Sequence, residues 1–201
     1  MTDSSPTRAS LVFRLRDRAD TAAWSQFVRD YGPMLYRFVR SRGVQDADAA
    51  DIVQDVMRSV GAAIGRLDYQ KEKGGFRAWL FTITRNKLST FFEKRRRLQP
   101  TGNDSTQLDL LNQVPDQRSS MESDWELEHQ RMLAALAMET IRSSFAPNTW
   151  LAFRLAAVEG LSAEEVSQQT GLSKGAVYVA RSRVTAKLRS EIERLQAIEE
   201  L

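Results

Sequence analysis

Residues 161–189 constrain this chain more than any other stretch. Ser162-Ala163-Glu164-Glu165 has the form of a capping box, in which Ser162 accepts from the third helical amide and Glu165 reaches back to the cap amide. The short helix it opens stops at Thr170-Gly171, because glycine takes a positive φ without steric cost. Leu172 packs into the angle, Ser173 caps again, and a second helix runs to about Glu193. Two helices joined by a tight glycine turn make a helix-turn-helix. On the second helix Val177, Ala180, Val184 and Leu188 share one face and belong to a core. Lys174, Tyr178, Arg181, Ser182, Thr185 and Arg189 cluster opposite, flanked by Arg183 and Lys187, and no acidic side chain occurs from Ser173 to Ser190. Such a face suits the DNA major groove, where Arg and Ser read base edges and Lys holds phosphates. The alternative is a structural hairpin whose basic face is merely solvated.

The rest of the chain also reads as helix, with no useful β-alternation and no internal repeat. Ser10 can cap a helix toward Arg18. Thr21 to Tyr31 carries an apolar stripe of Trp24, Phe27 and Val28. Gly32-Pro33 interrupts it, and Pro33 suits the first turn of a next helix with Leu35, Phe38 and Val39, ending near Gly43. Asp46 or Asp48 then caps a helix through about Leu67, its core face Ile52, Val53, Val56, Met57, Val60 and Ile64. After a loop from Asp68 to Gly75, a long helix spans Phe76 to about Arg97. Met132, Leu133, Leu136 and Ile141 form a later stripe, and Pro147 opens a helix closed by Gly160.

Charge divides the chain in three. Residues 1–97 hold 19 basic and 11 acidic groups, residues 98–129 hold 1 and 7, and residues 130–201 hold 9 and 8. The middle stretch is rich in Gln, Asn, Ser and Asp, with Pro100 and Pro115. The expectation is an all-α chain of two small helical domains, 1–97 and 129–201, joined by a flexible acidic linker over 98–128. The absence of cysteine excludes disulfides, thiol catalysis and Cys-type zinc sites, and fits the cytoplasm. His129, the single histidine, sits among polar neighbours and reads as solvated surface. Neither a membrane-spanning apolar run nor a secretory h-region is present. No metal or cofactor is implied.

Two faces of the first domain carry chemistry. Residues 76–97 include seven basic and five aromatic side chains against one acid, Glu93. Exposed aromatics beside cations stack unpaired bases and hold their phosphates, although Leu80, Ile83, Phe91 and Trp79 also compete for the core. On the preceding helix Asp48, Asp51 and Asp55, with Gln54, form an acidic stripe. Without a histidine or a second converging element it does not suit catalysis. A docking face for a basic protein and plain solvated charge both remain open.

The order of parts resembles the extracytoplasmic-function group of bacterial sigma factors over nearly the whole chain. Trp24 to Arg42, Asp48-Ala-Ala-Asp51-Ile-Val-Gln54-Asp55-Val and Phe76-Arg-Ala-Trp79-Leu-Phe-Thr-Ile83-Thr-Arg-Asn86 are similar to their region two. Gly171-Leu-Ser-Lys-Gly175-Ala-Val-Tyr-Val-Ala-Arg-Ser-Arg183-Val is similar to their region four. The resemblance implies a non-enzymatic factor that binds core RNA polymerase and directs promoter recognition and DNA melting. It implies that Asp48, Asp51, Gln54 and Asp55 dock on the β′ clamp helices. It assigns the minus-ten strand to Phe76, Arg77, Trp79, Thr82, Arg85, Asn86 and Lys87, with Asn86 at a flipped-out base and Lys71 and Lys73 walling its pocket. It assigns the minus-thirty-five duplex to Ser173, Lys174, Tyr178, Arg181, Ser182, Arg183 and Lys187. Tyr178 and Ala180 depart from basic residues frequent in relatives, whereas Arg183 matches. The linker is similar to a connector that threads polymerase toward its active cleft, bringing in the β subunit, and an anti-sigma partner is admitted. Two other classes compete: a stand-alone helix-turn-helix regulator, which would be dimeric, and an enzyme acting on nucleic acid, which would need convergent catalytic groups.

Overall fold

The computed structural model describes residues 8–67, 75–98 and 115–199. Every element among them is helical: α1 (Arg8–Arg14), α2 (Thr21–Arg40), α3 (Asp46–Ala63) with a 3-10 turn Ile64–Arg66, α4 (Gly75–Leu98), α5 (Pro115–Ile141), α6 (Pro147–Phe153) running into a π-helical turn Arg154–Val158, α7 (Ala163–Thr170) and α8 (Lys174–Glu199). The chain divides into two compact units between Met132 and Leu133, inside the length of α5. No described helix is long and apolar enough to cross a membrane.

Unit 1 is built around α2. Contrary to expectation, Gly32-Pro33 does not divide it: one helix runs through Pro33. A mid-helix proline costs roughly 3 kcal/mol or more. That cost is offset because Phe27, Tyr31, Met34, Leu35, Phe38 and Val39 are all buried on both sides of it. Val28, expected in the same stripe, is instead exposed. Asp20 caps α2 by accepting from the Ala23 amide, and Arg14 donates two further bonds to its carboxylate, at 2.7 and 2.9 Å. Ser10 lies inside α1 and not at a cap position. Gln45 occupies the N-cap of α3 without a side-chain bond, which leaves Asp46 and Asp48 in the first turn, favourable to the helix dipole.

α4 begins at Gly75, whose φ of +58° suits glycine. It packs on α2 and α3 through Phe76, Leu80, Phe81, Thr84, Leu88 and Phe92. The buried Thr84 hydroxyl donates to the Leu80 carbonyl, so no polar atom is stranded there.

The linker expected to reach residue 128 is corrected from Pro115 onward. Residues 99–114 lie outside the described residues, but 115–128 belong to α5. Met121, Trp125, His129 and Met132 recur at helical spacing and are buried on unit 1. Trp125 sits edge-on to Phe38, with centroids 5.0 Å apart, and 5.3 Å from Phe81. The acidic composition makes ion pairs rather than slack: Asp124 with Arg42, Glu126 with Arg77 at 2.5 Å, and Glu128 with Arg37 at 2.6 Å. His129 is 3% exposed, not solvated. Its neighbours are polar in sequence, but the helix turns it inward beside Trp125.

Unit 2 has two core clusters: Ala152, Leu155, Val166, Val177 and Ala180 in an aliphatic one, and Ile141, Phe153 and Val184 in another. The capping box forms as its residues require. Glu165 N–H donates to Ser162 Oγ, and Ser162 N–H donates to the Glu165 carboxylate at 2.8 Å. Gly171 closes α7 at φ +72°. Ser173 Oγ accepts from the Ala176 amide to open α8, which continues past Glu193 to Glu199.

Candidate nucleic-acid and partner interfaces

The polar face of α3 is where the period puts it. Asp51 and Gln54 are exposed, Asp48 and Asp55 half-buried. Arg58, which the sequence did not bring forward, bonds both Gln54 at 2.9 Å and Asp55 at 3.0 Å. Exposed pairs of this spacing contribute only about 0.3–0.5 kcal/mol, so a basic partner can displace it. α3 and the second half of α4 bound a groove lined by Asp48, Asp51, Ile52 and Asp55 on one side and Lys87, Phe91, Lys94 and Arg95 on the other. The acidic stripe thus faces cations across an apolar floor.

This splits the basic-aromatic helix into faces with different neighbours. Trp79, Thr82 and Asn86, spaced i, i+3, i+7, share one outward face, with Thr82 and Asn86 exposed and Trp79 half-buried. The Thr82 hydroxyl is engaged with the Ala78 carbonyl at 2.9 Å. Lys87 turns to the groove instead, and Arg77 reaches Glu126. Arg85 is half-buried. Phe76 is a correction. It is 4% exposed and locked edge-on to Phe27 and Tyr31, with centroids at 5.9 and 5.7 Å, so it cannot stack a base. Trp79 packs against it at 5.7 Å, so the core fixes the ring that stays half-exposed. Lys71 and Lys73 lie outside the described residues.

On α8 the expected division holds. Val177, Ala180 and Val184 are buried, and Leu188 packs beside them. Ser173, Lys174, Tyr178, Arg181, Ser182, Arg183, Thr185, Lys187 and Arg189 are all exposed. Tyr178, Arg181, Ser182, Thr185, Ala186 and Arg189 line a shallow surface depression. Lys174 is held by Glu164 at 2.9 Å, an exposed pair that a phosphate can break.

Residues 27–98 match the family described as Sigma-70 region 2, a span running from mid-α2 to the end of α4. The chain is 29% identical to the RNA polymerase sigma factor NccH of Alcaligenes xylosoxydans xylosoxydans over 198 residues, covering 98% of this chain and all of that protein. It is 29% identical to the sigma factor CnrH of Cupriavidus metallidurans, covering 83% and 84% of the two chains. It is 27% identical to the ECF sigma factor ShbA of Streptomyces griseus, covering 95% and 98%. Residues 27–98 are thus a Sigma-70 region 2 domain, in a chain that is similar along most of its length to extracytoplasmic-function sigma factors. Sigma factors are initiation factors that direct RNA polymerase to begin transcription. The structure of CnrH with the cytosolic domain of CnrY is 23% identical, covers 90% of this chain and 94% of that one, and has a TM-score of 0.36.

Within this chain, α5 carries the residues that local patterning missed. Glu126, Glu128 and Trp125 act on residues 40 or more positions away in sequence, so composition alone placed them in a tether. The signal that could have found them is the spacing of Met121, Trp125, His129 and Met132, an apolar period that begins earlier than Trp125.

Proposed function

We propose that this sigma factor divides its work between the two units. Unit 1 docks core RNA polymerase at the β′ clamp helices through Asp48, Asp51, Gln54 and Asp55, and holds the melted minus-ten strand with Trp79, Thr82, Arg85 and Asn86. Lys71, Lys73, Arg77 and Lys87 supply cations around it. Unit 2 meets the minus-thirty-five duplex with Ser173, Lys174, Tyr178, Arg181, Ser182, Arg183 and Lys187. The acidic stretch that precedes α5 engages the polymerase cleft and the β subunit. The protein works in the cytoplasm, needs no cofactor, catalyses no reaction of its own and admits an anti-sigma antagonist.

The observation that carries this reading is the pairing of faces in unit 1. A carboxylate face on α3 and a Trp-Thr-Asn face on α4 are both outward on one rigid aromatic core. A protein surface and a single strand can therefore be engaged together. Run-off transcription with core polymerase on a genomic fragment library tests it. Core-dependent, sequence-selective initiation is expected, with weak binding of free promoter. Tight operator binding that core does not alter would overturn it.

A further inference from the structure

The exposed surface of α8 is not uniformly basic. A helical turn advances 100° per residue, so the direction opposite Val177, Ala180 and Val184 is occupied by Gly175, Val179, Ser182 and Ala186, with Tyr178 beside them. All five are exposed, none is charged, and four are small. The cations stand to either side of this ridge: Lys174, Arg181 and Arg189 along one flank, Arg183 and Lys187 along the other. Val179 is 49% exposed and Tyr178 61%, the only large hydrophobics so exposed on this helix among the described residues.

Gly175 adds an independent observation. It sits in the first turn of α8, where glycine is a poor helix former. A Cβ built there would meet only Ser173 Oγ, at 4.0 Å. Nothing among the described residues requires its lack of a side chain, and its backbone is open on the outer side.

From this we infer that the uncharged ridge, and not the arginines, is the base-reading element of α8, with Val179 seated on the 5-methyl group of a thymine. Gly175 is the positioning residue that lets the helix sink to the base edges. The flanking cations reach the phosphates on the two walls of the groove. An apolar branched side chain has one partner in the major groove, the thymine methyl, whereas Arg and Lys reach either guanine or phosphate. This rests on the reading of α8 as a duplex reader.

The test uses the full chain with cognate core polymerase. A promoter library randomised upstream is selected for open-complex formation, and the selected duplex is resynthesised with deoxyuridine replacing thymidine, one position at a time. At one position the wild-type holoenzyme loses about three- to fourfold in affinity, the size expected for uncovering one methyl group. Val179→Ala abolishes that sensitivity while folding normally. Arg181→Ala and Arg183→Ala weaken all sequences alike, reduce the salt dependence and keep the sensitivity. Gly175→Ala raises the melting temperature and weakens the selected duplex. Selection of no sequence at all overturns the function itself. A selected element indifferent to deoxyuridine, or Val179→Ala keeping the wild-type penalty, overturns this inference alone. Unchanged binding by Gly175→Ala removes the close approach.

Discussion

The two cation-rich helices, α4 and α8, solve the same electrostatic problem on different foundations. α4 is pressed into an aromatic core by Phe76, Leu80, Phe81, Leu88 and Phe92, so its outward face is fixed by packing from α2, α3 and α5. Among its described side chains α8 buries Val177, Ala180, Val184, Glu191 and Leu195, and its orientation depends on local devices: the capping box, Gly171 and the Ser173 cap. One face is specified by distant contacts, the other by its immediate sequence neighbours. Sequence patterns therefore describe α8 better than α4, and substitutions act on the two through different mechanisms.

The largest expected effect tests the distant contacts. Trp125→Ala removes an indole that is 3% exposed between Phe38 and Phe81. Truncations of this kind cost about 3–5 kcal/mol. Unit 1 amides should lose that much protection in native-state hydrogen exchange while unit 2 amides keep theirs. Equal loss in both units would show that they unfold together, and the contrast drawn above would fail. The loss of Trp125 also frees Glu126, so Arg77 becomes available earlier in a salt titration with single-stranded DNA.

The second effect concerns the acidic face. Asp51→Lys with Asp55→Lys alters two side chains, one exposed and one half-buried, and leaves Arg58 with Gln54 alone. Core polymerase affinity should fall by about tenfold or more, ~1.4 kcal/mol at least. Circular dichroism should be unchanged, because Ile52, Val56 and Val60 hold α3 from the other side. Wild-type affinity in surface plasmon resonance would mean that α3 is not the dock.

How much was legible follows from the same contrast. Ser162, Glu165, Gly171 and Ser173 were read correctly because each bond they make lies within a few residues. Pro33 misled because its local penalty is overridden by Phe27 and Phe38, whose burial is a tertiary fact. Phe76 misled for the same reason: an aromatic beside Arg77 looks available to a base until Phe27 and Tyr31 arrive from α2. Residues 115–128 were misread because acidic, polar composition suits both a tether and a helix with basic hosts. Arg37, Arg42 and Arg77, with the apolar spacing of Met121, Trp125, His129 and Met132, distinguish the two. In α3 the stripe was visible, but the cations across the groove belong to α4 and were assigned elsewhere.

A third substitution probes the local devices of unit 2. Gly171→Ala forces an L side chain into φ +72°, at a cost of about 1–2 kcal/mol, with no clash to add because a Cβ there meets nothing within 4 Å. The unit 2 transition in a urea melt should shift by that amount and the unit 1 transition should not. The α8 face proposed to meet the duplex should lose affinity with it, since α7 and α8 are set at their angle by this turn. A larger shift in unit 1 would reverse the comparison.

The smallest effect separates the units by pH. Asp20 caps α2, and its carboxyl is held below the usual range by the Arg14 guanidinium, with the Ala23 amide adding to it. Glu165 in the capping box is likewise held low, by the Ser162 hydroxyl and then the Ser162 amide. A folded value below the unfolded one means that the stability is fully present above the unfolded value, about pH 4, and is lost as pH falls through the folded value. Both units should therefore weaken on acidification below about pH 4, each through its own carboxylate. Asp20→Asn keeps an oxygen for the Ala23 amide but loses the charge that Arg14 holds. It should flatten the acid limb of unit 1 alone, as followed by tryptophan fluorescence from Trp24. Glu165→Gln should flatten that of unit 2 alone, followed at Trp150. If either variant flattens both limbs, the units share a cooperative transition, and the local character assigned to α7 and α8 is wrong.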